Sequence, residues 1–186
     1  MNIAFLGGAF DPPHVGHFKI IEYCMNLFDK VLIIPNKESP SNNKKIIASY
    51  QHRINMLNIL FENQNVELDN FELLSDKKNY TYYTIKYLKD KYKNDSITMI
   101  LGQDQLEKLD QWYNYDYIVN NITILCFARN INKDSNKNIG NINFVDFDYD
   151  ISSTYIRNLF KSSNLINSVF IDKNVNEYII KKGLYK

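Results

Sequence analysis

The sequence predicts an α/β fold: a single Rossmann-like, doubly wound domain over residues 1–186, with a mainly parallel sheet flanked by helices. Two observations predict it. Short apolar runs such as Ile3–Leu6 and Val31–Ile34 indicate strands that are buried on both faces. Between such runs, apolar residues recur at helical spacing. Strands therefore alternate with helices, and two strands that flank a helix form a right-handed parallel unit.

Composition bounds the class of protein. The chain has 186 residues, 45% of them hydrophobic, which is enough for one sizeable core. The 22 basic and 21 acidic residues nearly cancel, so we expect no nucleic-acid partner and only local recognition of phosphate. No stretch has membrane-spanning length and no targeting segment is visible, so we expect a cytoplasmic enzyme without membrane contact. Cys24 and Cys126 lie in apolar runs without metal spacing, which indicates buried free thiols.

Turn residues, N-cap residues and prolines set the boundaries of the predicted elements. In the first half, the pattern predicts a strand Ile3–Leu6, a turn Gly7-Gly8, a helix from His17 to about Phe28, and a strand Val31–Ile34 ended by Pro35. A polar loop 36–45 and a helix capped by Ser49 and running to about Phe61 come next. Short extended pieces 66–68 and 71–74 follow, and then a helix 82–92 with Tyr80 or Thr81 at its start. The second half reads as a strand Ile97–Leu101 ended by Gly102, a short acidic helix, a helix Tyr115–Val119, a strand Ile122–Phe127, a polar loop 130–141, a strand Asn143–Phe147, and helices Ser153–Phe160 and Val175–Lys182.

The stretch from Gly7 to His17 carries the strongest chemical signal. A glycine turn after the first strand leads through Asp11 and His14 to His17, at the start of a helix. The first N–H groups of a helix have no partner within it and the helix dipole is positive there, so this end binds anions. A lone glycine turn or a lone histidine is more often structural. Two imidazoles at this position together suit phosphate chemistry.

A second signal lies in Asp150–Arg157. Ser152 and Ser153 begin a predicted helix and Arg157 lies one turn inside it, so hydroxyls, free N–H groups and a guanidinium can hold phosphate oxygens. Taken alone, a serine N-cap followed by a surface arginine is the simpler interpretation. In a chain that also contains the first motif, the better interpretation is a second phosphate-binding segment. Two such segments indicate that the ligand is a triphosphate.

Fold logic brings these segments together. In a doubly wound sheet the ligand binds beyond the carboxyl ends of the strands, where the strand order reverses. The candidate segments all follow predicted strands: Gly7–His17, the loop after Ile34, Gly102–Asp104 and Ser152–Arg157.

The run His14-Val15-Gly16-His17 and the run Ile151-Ser152-Ser153-Thr154-x-Ile156-Arg157 resemble the two signatures of the HxGH nucleotidylyltransferase superfamily. Further matches resemble its bacterial-type nicotinate mononucleotide adenylyltransferases. They are Gly7-Gly8-Ala9-Phe10-Asp11-Pro12-Pro13-His14, with His14 where phosphopantetheine adenylyltransferases usually carry Thr, Arg53 with Met56-Leu57, Tyr80-Thr81-x-x-Thr84, Leu101-Gly102-Gln103-Asp104 followed by Trp112, and Val175-x-x-Tyr178-Ile179 with Gly183-Leu184-Tyr185.

The resemblance implies the nucleotidylyltransferase fold and transfer of the adenylyl group of ATP to nicotinate mononucleotide, giving nicotinate adenine dinucleotide and pyrophosphate in NAD biosynthesis. The residues expected to be catalytic are His14, His17 and Arg157. Those expected to bind ATP are Gly7, Gly8, Ala9, Phe10, His17, Ser152, Ser153 and Arg157. Those expected to bind the pyridine mononucleotide are Asp11, Lys19, Thr81, Thr84, Gly102, Asp104 and Trp112. Mg²⁺ is expected with ATP, bound mainly through its phosphates and by no protein metal site.

Several of these positions also have a structural interpretation. Trp112 could pack in the core, Asp104 and Thr81 could cap helices, and Arg53 and Lys19 could be solvated. The sequence also departs from the family pattern. The loop after the second strand lacks the usual histidine, with Lys44 or Lys45 as substitutes, Gln103 replaces a small residue, and Arg129 is followed by Asn130-Ile131 instead of Pro-Gly.

Alternatives remain at the level of function. The same chemistry could use nicotinamide mononucleotide or phosphopantetheine as acceptor, and a non-catalytic nucleotide-binding module is a rival from another class. A dehydrogenase is excluded, because the first turn is Gly-Gly-Ala-Phe-Asp and not Gly-x-Gly-x-x-Gly. ATP and nicotinate mononucleotide are the expected partners. A homo-oligomer is left open.

Overall fold

A six-stranded parallel sheet forms the centre of the molecule, with strand order β3-β2-β1-β4-β5-β6. The computed structural model describes residues 1–38, 45–128, 141–149, 151–162 and 169–186. The strands are β1 Asn2–Gly8, β2 Lys30–Pro35, β3 Glu67–Leu68, β4 Ser96–Gly102, β5 Thr123–Ala128 and β6 Ile142–Asp146. This order is the doubly wound arrangement that the alternation of strands and helices predicts.

Helices connect the strands and cover both faces of the sheet. They are α1 Val15–Met25, α2 Tyr50–Leu60, α3 Phe71–Leu74, α4 Thr81–Lys91, α5 Gln103–Leu106, α6 Tyr115–Asn121, α7 Ser153–Ser162 and α8 Lys173–Lys182, with a 3₁₀ turn at Leu109–Gln111. The helix after Ser49 and the strands around Ile97–Leu101 and Ile122–Phe127 are confirmed to within two residues. No helix among the described residues is long and apolar enough to cross a membrane.

Alternate residues of the strands supply two cores. On β1, Ala4 and Leu6 pack with α1, α2, α7 and α8, whereas Ile3 and Phe5 pack on the opposite face with α4 and α6. This alternation follows from the period of two in a strand. Cys24 and Cys126 are free and buried, as predicted. The single domain over residues 1–186 stays a prediction.

The predicted turn at Gly7-Gly8 is wrong. Both glycines still belong to β1, opposite Ile34 and Pro35 of β2. Pro35 is likewise the last residue of its strand, because a proline is tolerated where the ladder ends. The chain turns only after Gly8, and Phe10 adopts the left-handed conformation there with a φ of 50°.

Two helices also differ from expectation. The first helix begins at Val15 and not near His17, because His14 takes the N-cap position and the backbone N–H of Phe18 already bonds to the His14 carbonyl oxygen. Phe71–Leu74, predicted to be extended, is the short helix α3. The Asp69 carboxylate accepts from the N–H of Phe71 at 2.9 Å, and this turn chemistry starts the helix.

The topology fixes where a ligand can bind. The strand order reverses between β1 and β4, and the register pairs Leu6 with Ile100. Gly8 and Gly102, two residues further along each strand, therefore lie level at the carboxyl edge of the sheet. The loops that follow them, together with the start of α7, surround this point.

Candidate active site

The loop between β1 and α1 is held in an unusual backbone conformation. Phe10 has a positive φ, which residues with a Cβ rarely adopt, yet its side chain is only 3% exposed. Just before it, the Ala9 carbonyl oxygen accepts from Nη1 of Arg53 at 2.7 Å. Burial of the Phe10 ring and this charged hydrogen bond offset the strain, so the loop enters α1 in one defined path.

His14 and His17 face each other across the first turn of α1. The backbone N–H of His14 donates to Nδ1 of His17 at 3.2 Å. Their rings stack with 3.7 Å between centroids and 28° between planes, and the edge of Phe10 lies 5.0 Å from the His17 ring. A Cβ on Gly16 would lie 3.0 Å from Nδ1 of His14, so a glycine is required for the ring to sit against the helix.

Both imidazoles are neutral at physiological pH in this arrangement. Burial lowers the pKa of His14 from 6.5 to about 4. Burial and then the neighbouring His14 lower the pKa of His17 well below its usual value, although part of that side chain still reaches solvent. Nδ1 of His14 is buried and has no hydrogen-bond partner within the described parts of the chain. It is available for a ligand.

The second motif meets the first directly. Oγ of Ser153 donates to the Pro12 carbonyl oxygen at 2.9 Å, and Nη1 of Arg157 donates to the Asp11 carbonyl oxygen at 2.6 Å. Ser152 caps α7, accepting from the N–H of Tyr155 at 3.2 Å. Two motifs far apart in sequence thus place the N-termini of α1 and α7 side by side.

Asp11 lies in the interior, whereas the resemblance implies contact with the pyridine nucleotide. The side chain is 2% exposed. Its carboxylate accepts from the backbone N–H groups of Ile47 and Ala48, at 2.7 and 3.1 Å, and from the hydroxyl of Tyr185 at 2.7 Å. With these three bonds the carboxylate joins the loop before α2 to the segment after α8.

The start of α4 lies beside the same edge of the sheet. Tyr80 takes the N-cap position and Thr81 is the first helical residue, with its side chain partly exposed. Thr84 is different: it is 1% exposed and its hydroxyl donates inward to Glu72 at 2.5 Å. The buried Thr84 hydroxyl is thus engaged with Glu72.

Glu72 belongs to a small polar network under this edge. Burial raises the pKa of Glu72 to about 7, and the hydroxyl of Thr84 partly counteracts the rise. Asn79 donates to the Glu72 carbonyl oxygen at 2.8 Å and accepts from the N–H groups of Lys37 and Glu38 at 3.0 Å. The network therefore ties the segment after β2 to the start of α4.

Gly102 is the last residue of β4, and Asp104 follows it in α5. Gly102 is the N-cap of α5, and a Cβ there would lie 3.0 Å from the Asp104 carboxylate. Asp104 is exposed and accepts from the Gln105 side chain at 2.8 Å. Trp112 is partly buried and packs against the core on the α4 side of the sheet, as the packing interpretation predicts. Part of its side chain remains exposed to solvent.

Tyrosine rings connect the Thr81 and Trp112 segments. Tyr80 stacks on Tyr113 with 4.7 Å between centroids and 22° between planes. Tyr82 places its edge against the same ring at 5.6 Å. The rings fix the loop that follows the 3₁₀ turn to the first turn of α4, which brings these two predicted acceptor-binding segments together.

Lys19 points away from the helix start. Its ammonium donates to Glu22 at 2.8 Å on the same face of α1, and the side chain is 38% exposed. It lines an open groove between α1 and β6, with Phe147 and Tyr149 opposite. The ammonium of Lys19 is therefore engaged with Glu22 and not with a group of the first loop.

Two residues, Arg53 and Tyr185, make buried contacts that the sequence did not predict. Arg53, considered as a solvated residue, is 1% exposed; burial lowers its pKa while Asp11 raises it. The signal was present, because Arg53 shares helical spacing with Met56, Leu57 and Leu60 on the apolar face of α2. Tyr185 was noted only as a family match. Lys44 and Arg129 lie outside the described residues, whereas Lys45 is exposed.

Comparison with known proteins shows the family of this chain. The model of the family described as Cytidylyltransferase-like matches residues 5–159. A "Probable nicotinate-nucleotide adenylyltransferase" of Fusobacterium nucleatum subsp. nucleatum is 34% identical over 192 residues, covering 98% of both chains. The "Nicotinate-nucleotide adenylyltransferase" of Bacillus subtilis (strain 168) is 31% identical over 191 residues, covering 100% of this chain and 98% of the relative.

The chain belongs to the nicotinate-nucleotide adenylyltransferase family.

Solved structures share the fold of this family. The nicotinic acid mononucleotide adenylyltransferase of Plasmodium falciparum complexed with NaAD superposes with a TM-score of 0.87 at 24% identity, covering 99% of this chain and 97% of that one. The same enzyme complexed with APC gives a TM-score of 0.85 at 23% identity, covering 99% and 96%. At this identity the likeness shows the fold alone. Members of the family are nucleotidyltransferases, which generally use a divalent metal ion.

Proposed function

We propose that this protein transfers the adenylyl group of ATP to nicotinate mononucleotide and releases pyrophosphate. One observation carries the proposal: the stacked His14 and His17 at the start of α1 lie beside the start of α7, joined by the bonds from Ser153 and Arg157 to the first loop. Two helix N-termini and these polar side chains suit a triphosphate better than a single phosphate. The family assignment supports the same chemistry.

The reaction needs alignment more than proton transfer. An oxygen of the acceptor phosphate attacks the α-phosphorus of ATP in line. A new O–P bond forms there, while the bond from the α-phosphorus to the bridging oxygen breaks and pyrophosphate leaves with the electron pair. The attacking oxygen is already ionised near neutral pH, so no strong base is required. The protein must hold two anions together and stabilise charge in the transition state.

His14 and His17 are assigned to the α-phosphate and the bridging oxygen. Both rings are neutral without ligand, so each can donate one N–H to a phosphate oxygen, and the approaching phosphate charge favours taking up a proton. Gly7, Gly8, Ala9 and Phe10 are assigned to the nucleotide beside them, since they lead from β1 to this point. The buried Nδ1 of His14, which has no partner within the described residues and lies at a helix N-terminus, supports this placement.

Ser152, Ser153 and Arg157 are assigned to the β- and γ-phosphates. In the structure Ser153 and Arg157 bond to carbonyl oxygens of the first loop, which positions them beside His14. The guanidinium carries five N–H donors and uses Nη1 and Nη2 for Asp11 and Thr154. The remaining donors can bind phosphate.

Mg²⁺ is proposed as the metal ion, held by phosphate oxygens of ATP and by water. The donor set supports this mode of binding, because the Asp11 carboxylate beside the helix ends already accepts three hydrogen bonds. When bound, such an ion would supply positive charge to the departing pyrophosphate. The side chains contribute orientation and N–H donors.

The pyridine mononucleotide is assigned to the edge formed by Thr81, Gly102, Asp104 and Trp112. The start of α4, the end of β4 and the loop after the 3₁₀ turn converge there, and stacked tyrosines join two of these segments. Thr84 is proposed to support this edge from below through Glu72, without contact with the ligand. Asp11, predicted to contact the acceptor, directs its carboxylate to Ile47, Ala48 and Tyr185 instead. Lys19 stays a proposed contact of the acceptor, although its ammonium is bound to Glu22.

A panel of acceptors tests the proposal. Pyrophosphate release is measured with ATP and nicotinate mononucleotide, nicotinamide mononucleotide or phosphopantetheine. We expect the highest kcat/KM with nicotinate mononucleotide. A preference for phosphopantetheine would refute the proposal. ATP binding without turnover on any acceptor would indicate a non-catalytic nucleotide-binding module instead. Function in the cytoplasm belongs to the same proposal; a homo-oligomer stays a prediction.

A further inference from the structure

The buried Asp11 carboxylate lies near two guanidinium groups, that of the buried Arg53 and that of the partly exposed Arg157. Uncharged groups nevertheless donate all of its hydrogen bonds that the structure describes. Oδ2 accepts from the N–H of Ile47 at 2.7 Å. Oδ1 accepts from the N–H of Ala48 at 3.1 Å and from the hydroxyl of Tyr185 at 2.7 Å. The hydrogen bond from the Tyr185 hydroxyl is therefore the shorter of the two that Oδ1 accepts.

Arg157 lies just beyond hydrogen-bond distance of this carboxylate. Nη1 is 4.0 Å from Oδ2 of Asp11 and donates instead to the backbone carbonyl oxygen of Asp11 at 2.6 Å. A guanidinium normally binds a nearby carboxylate through two short, parallel bonds. Here it does not: three neutral groups donate to the carboxylate instead, two of them to Oδ1 and one to Oδ2. Part of the guanidinium thus remains free of the protein's own anion.

Tyr185 is fixed firmly enough to serve as such a donor. It follows α8, its side chain is 5% exposed, and its ring lies 6.0 Å from that of Phe160 on α7. Gly183 ends α8 in the left-handed conformation, with φ 63°, which turns the chain back toward the loop. The hydroxyl is thus held beside Asp11 by packing on the same helix that carries Arg157.

We propose that Tyr185 is a positioning residue for Arg157: its hydroxyl satisfies the Asp11 carboxylate and so keeps the guanidinium free to bind the triphosphate of ATP. Without the hydroxyl, Oδ1 keeps only its longer bond, and the buried carboxylate gains by drawing Arg157 into an ion pair. That ion pair competes with the phosphates. The inference rests on the proposed function only in taking ATP as the ligand of Arg157.

The test is ATP affinity, measured by calorimetry with the full chain and Mg²⁺, for Tyr185→Phe. We expect the Kd for ATP to rise about tenfold, the scale of one charge-assisted contact, while the Kd for nicotinate mononucleotide stays unchanged. Tyr178→Phe is the matched control. It removes a hydroxyl from α8 that bonds to His52 at 2.8 Å and Asn55 at 2.9 Å, and we expect no change in either affinity.

A double variant separates positioning from a general loss of structure. If Tyr185 acts through Arg157, Tyr185→Phe should weaken ATP binding no further in a chain that already carries Arg157→Gln. Additive losses would overturn the proposal, as would an unchanged Kd for Tyr185→Phe. Should that variant fold poorly, ATP is titrated against its folded fraction, measured by circular dichroism: a tenfold higher Kd of that fraction supports the proposal, and an unchanged Kd overturns it.

These outcomes are distinct from failure of the proposed function. A wild-type chain that binds ATP but releases no pyrophosphate with nicotinate mononucleotide would overturn the proposed function, and the affinities of the variants would still judge Tyr185. A wild-type chain that binds no ATP would overturn both.

Discussion

The imidazole rings of His14 and His17 lie stacked, with 3.7 Å between their centroids. Two protonated rings at this separation would repel each other, and burial disfavours the charge on either one. The pair therefore rests in the neutral state and can take up a proton only when an anion arrives. This property connects the stability of the fold to the chemistry of the site.

His17→Ala should lower kcat about a hundredfold, because one donor to the transition state contributes on the order of 3 kcal/mol. The measurement is steady-state pyrophosphate release at saturating ATP and nicotinate mononucleotide. The matched control is His52→Gln, since His52 bonds to Tyr178 between α2 and α8 and should leave kcat near that of the wild type. Near wild-type turnover by His17→Ala would refute the assignment.

Gly16→Ala should reduce activity more than stability. The new Cβ would lie 3.0 Å from Nδ1 and 3.1 Å from Cε1 of His14, so the ring must shift by a few tenths of an ångström. Alanine also favours a helix over glycine by roughly 0.5–1 kcal/mol, which offsets part of the clash. We expect a tenfold or larger fall in kcat with a change in unfolding free energy of less than about 1 kcal/mol. Turnover assays measure kcat, and urea denaturation measures the free energy of unfolding. A variant that is strongly destabilised but whose folded fraction turns over as fast as the wild type would contradict the prediction.

Stability should fall as the pH drops below neutrality. The folded-state pKa of His14 is about 4, below the usual 6.5, so the unfolded chain binds more protons between these values. The contribution of neutral His14 is complete above pH 6.5 and declines toward pH 4. Between pH 7 and pH 5 this residue should cost about 2 kcal/mol of unfolding free energy.

Urea denaturation of the wild type and of His14→Gln at pH 7 and at pH 5 measures this contribution of His14 to the free energy of unfolding. The variant should lose less stability between pH 7 and pH 5 than the wild type. His17 acts in the same direction, because its pKa is also lowered, so the variant keeps part of the dependence. Equal losses in the two proteins would show that His14 protonates freely in the folded state.

Glu72→Gln should stabilise the protein at alkaline pH. Burial raises the pKa of Glu72 to about 7, so its stabilising protonated form is lost as the pH rises through that value. The wild type should lose on the order of 2 kcal/mol between pH 5.5 and pH 8 from this group, and the variant should not. Urea titrations at the two pH values give the comparison. The control is Glu62→Gln, since Glu62 is an exposed residue just after α2.

The strands were largely predictable because a buried parallel strand needs an unbroken apolar run. Val31–Ile34 and Ile97–Leu101 have such runs, and the structure extends each by only a residue or so at either end. The boundary at Gly7-Gly8 was not predictable by the same rule. A glycine permits a turn but does not require one, and pairing with β2 decides that both glycines remain in the strand.

Side-chain partners were less predictable than elements. Asp11 and Thr84 belong to motifs that predict ligand contact, but the folded chain buries both against groups distant in sequence, Tyr185 and Glu72. Arg53 carries a charge that suggests solvent, and its helical spacing alone indicated the interior. Side-chain partners of this kind depend on which segments meet in space, and the local periodicity of a sequence does not show which segments will meet.

The sequence by itself determined the α/β class, the two phosphate-binding motifs and the family to which they point, because these depend on local order: apolar runs, helix starts and the spacing of histidines, serines and arginine. Only the tertiary structure decided that Ser153 and Arg157 bond to the loop before His14, and that the Tyr185 hydroxyl donates to the Asp11 carboxylate. The physical reason is that a hydrogen bond is made at about 3 Å, whatever the distance along the chain.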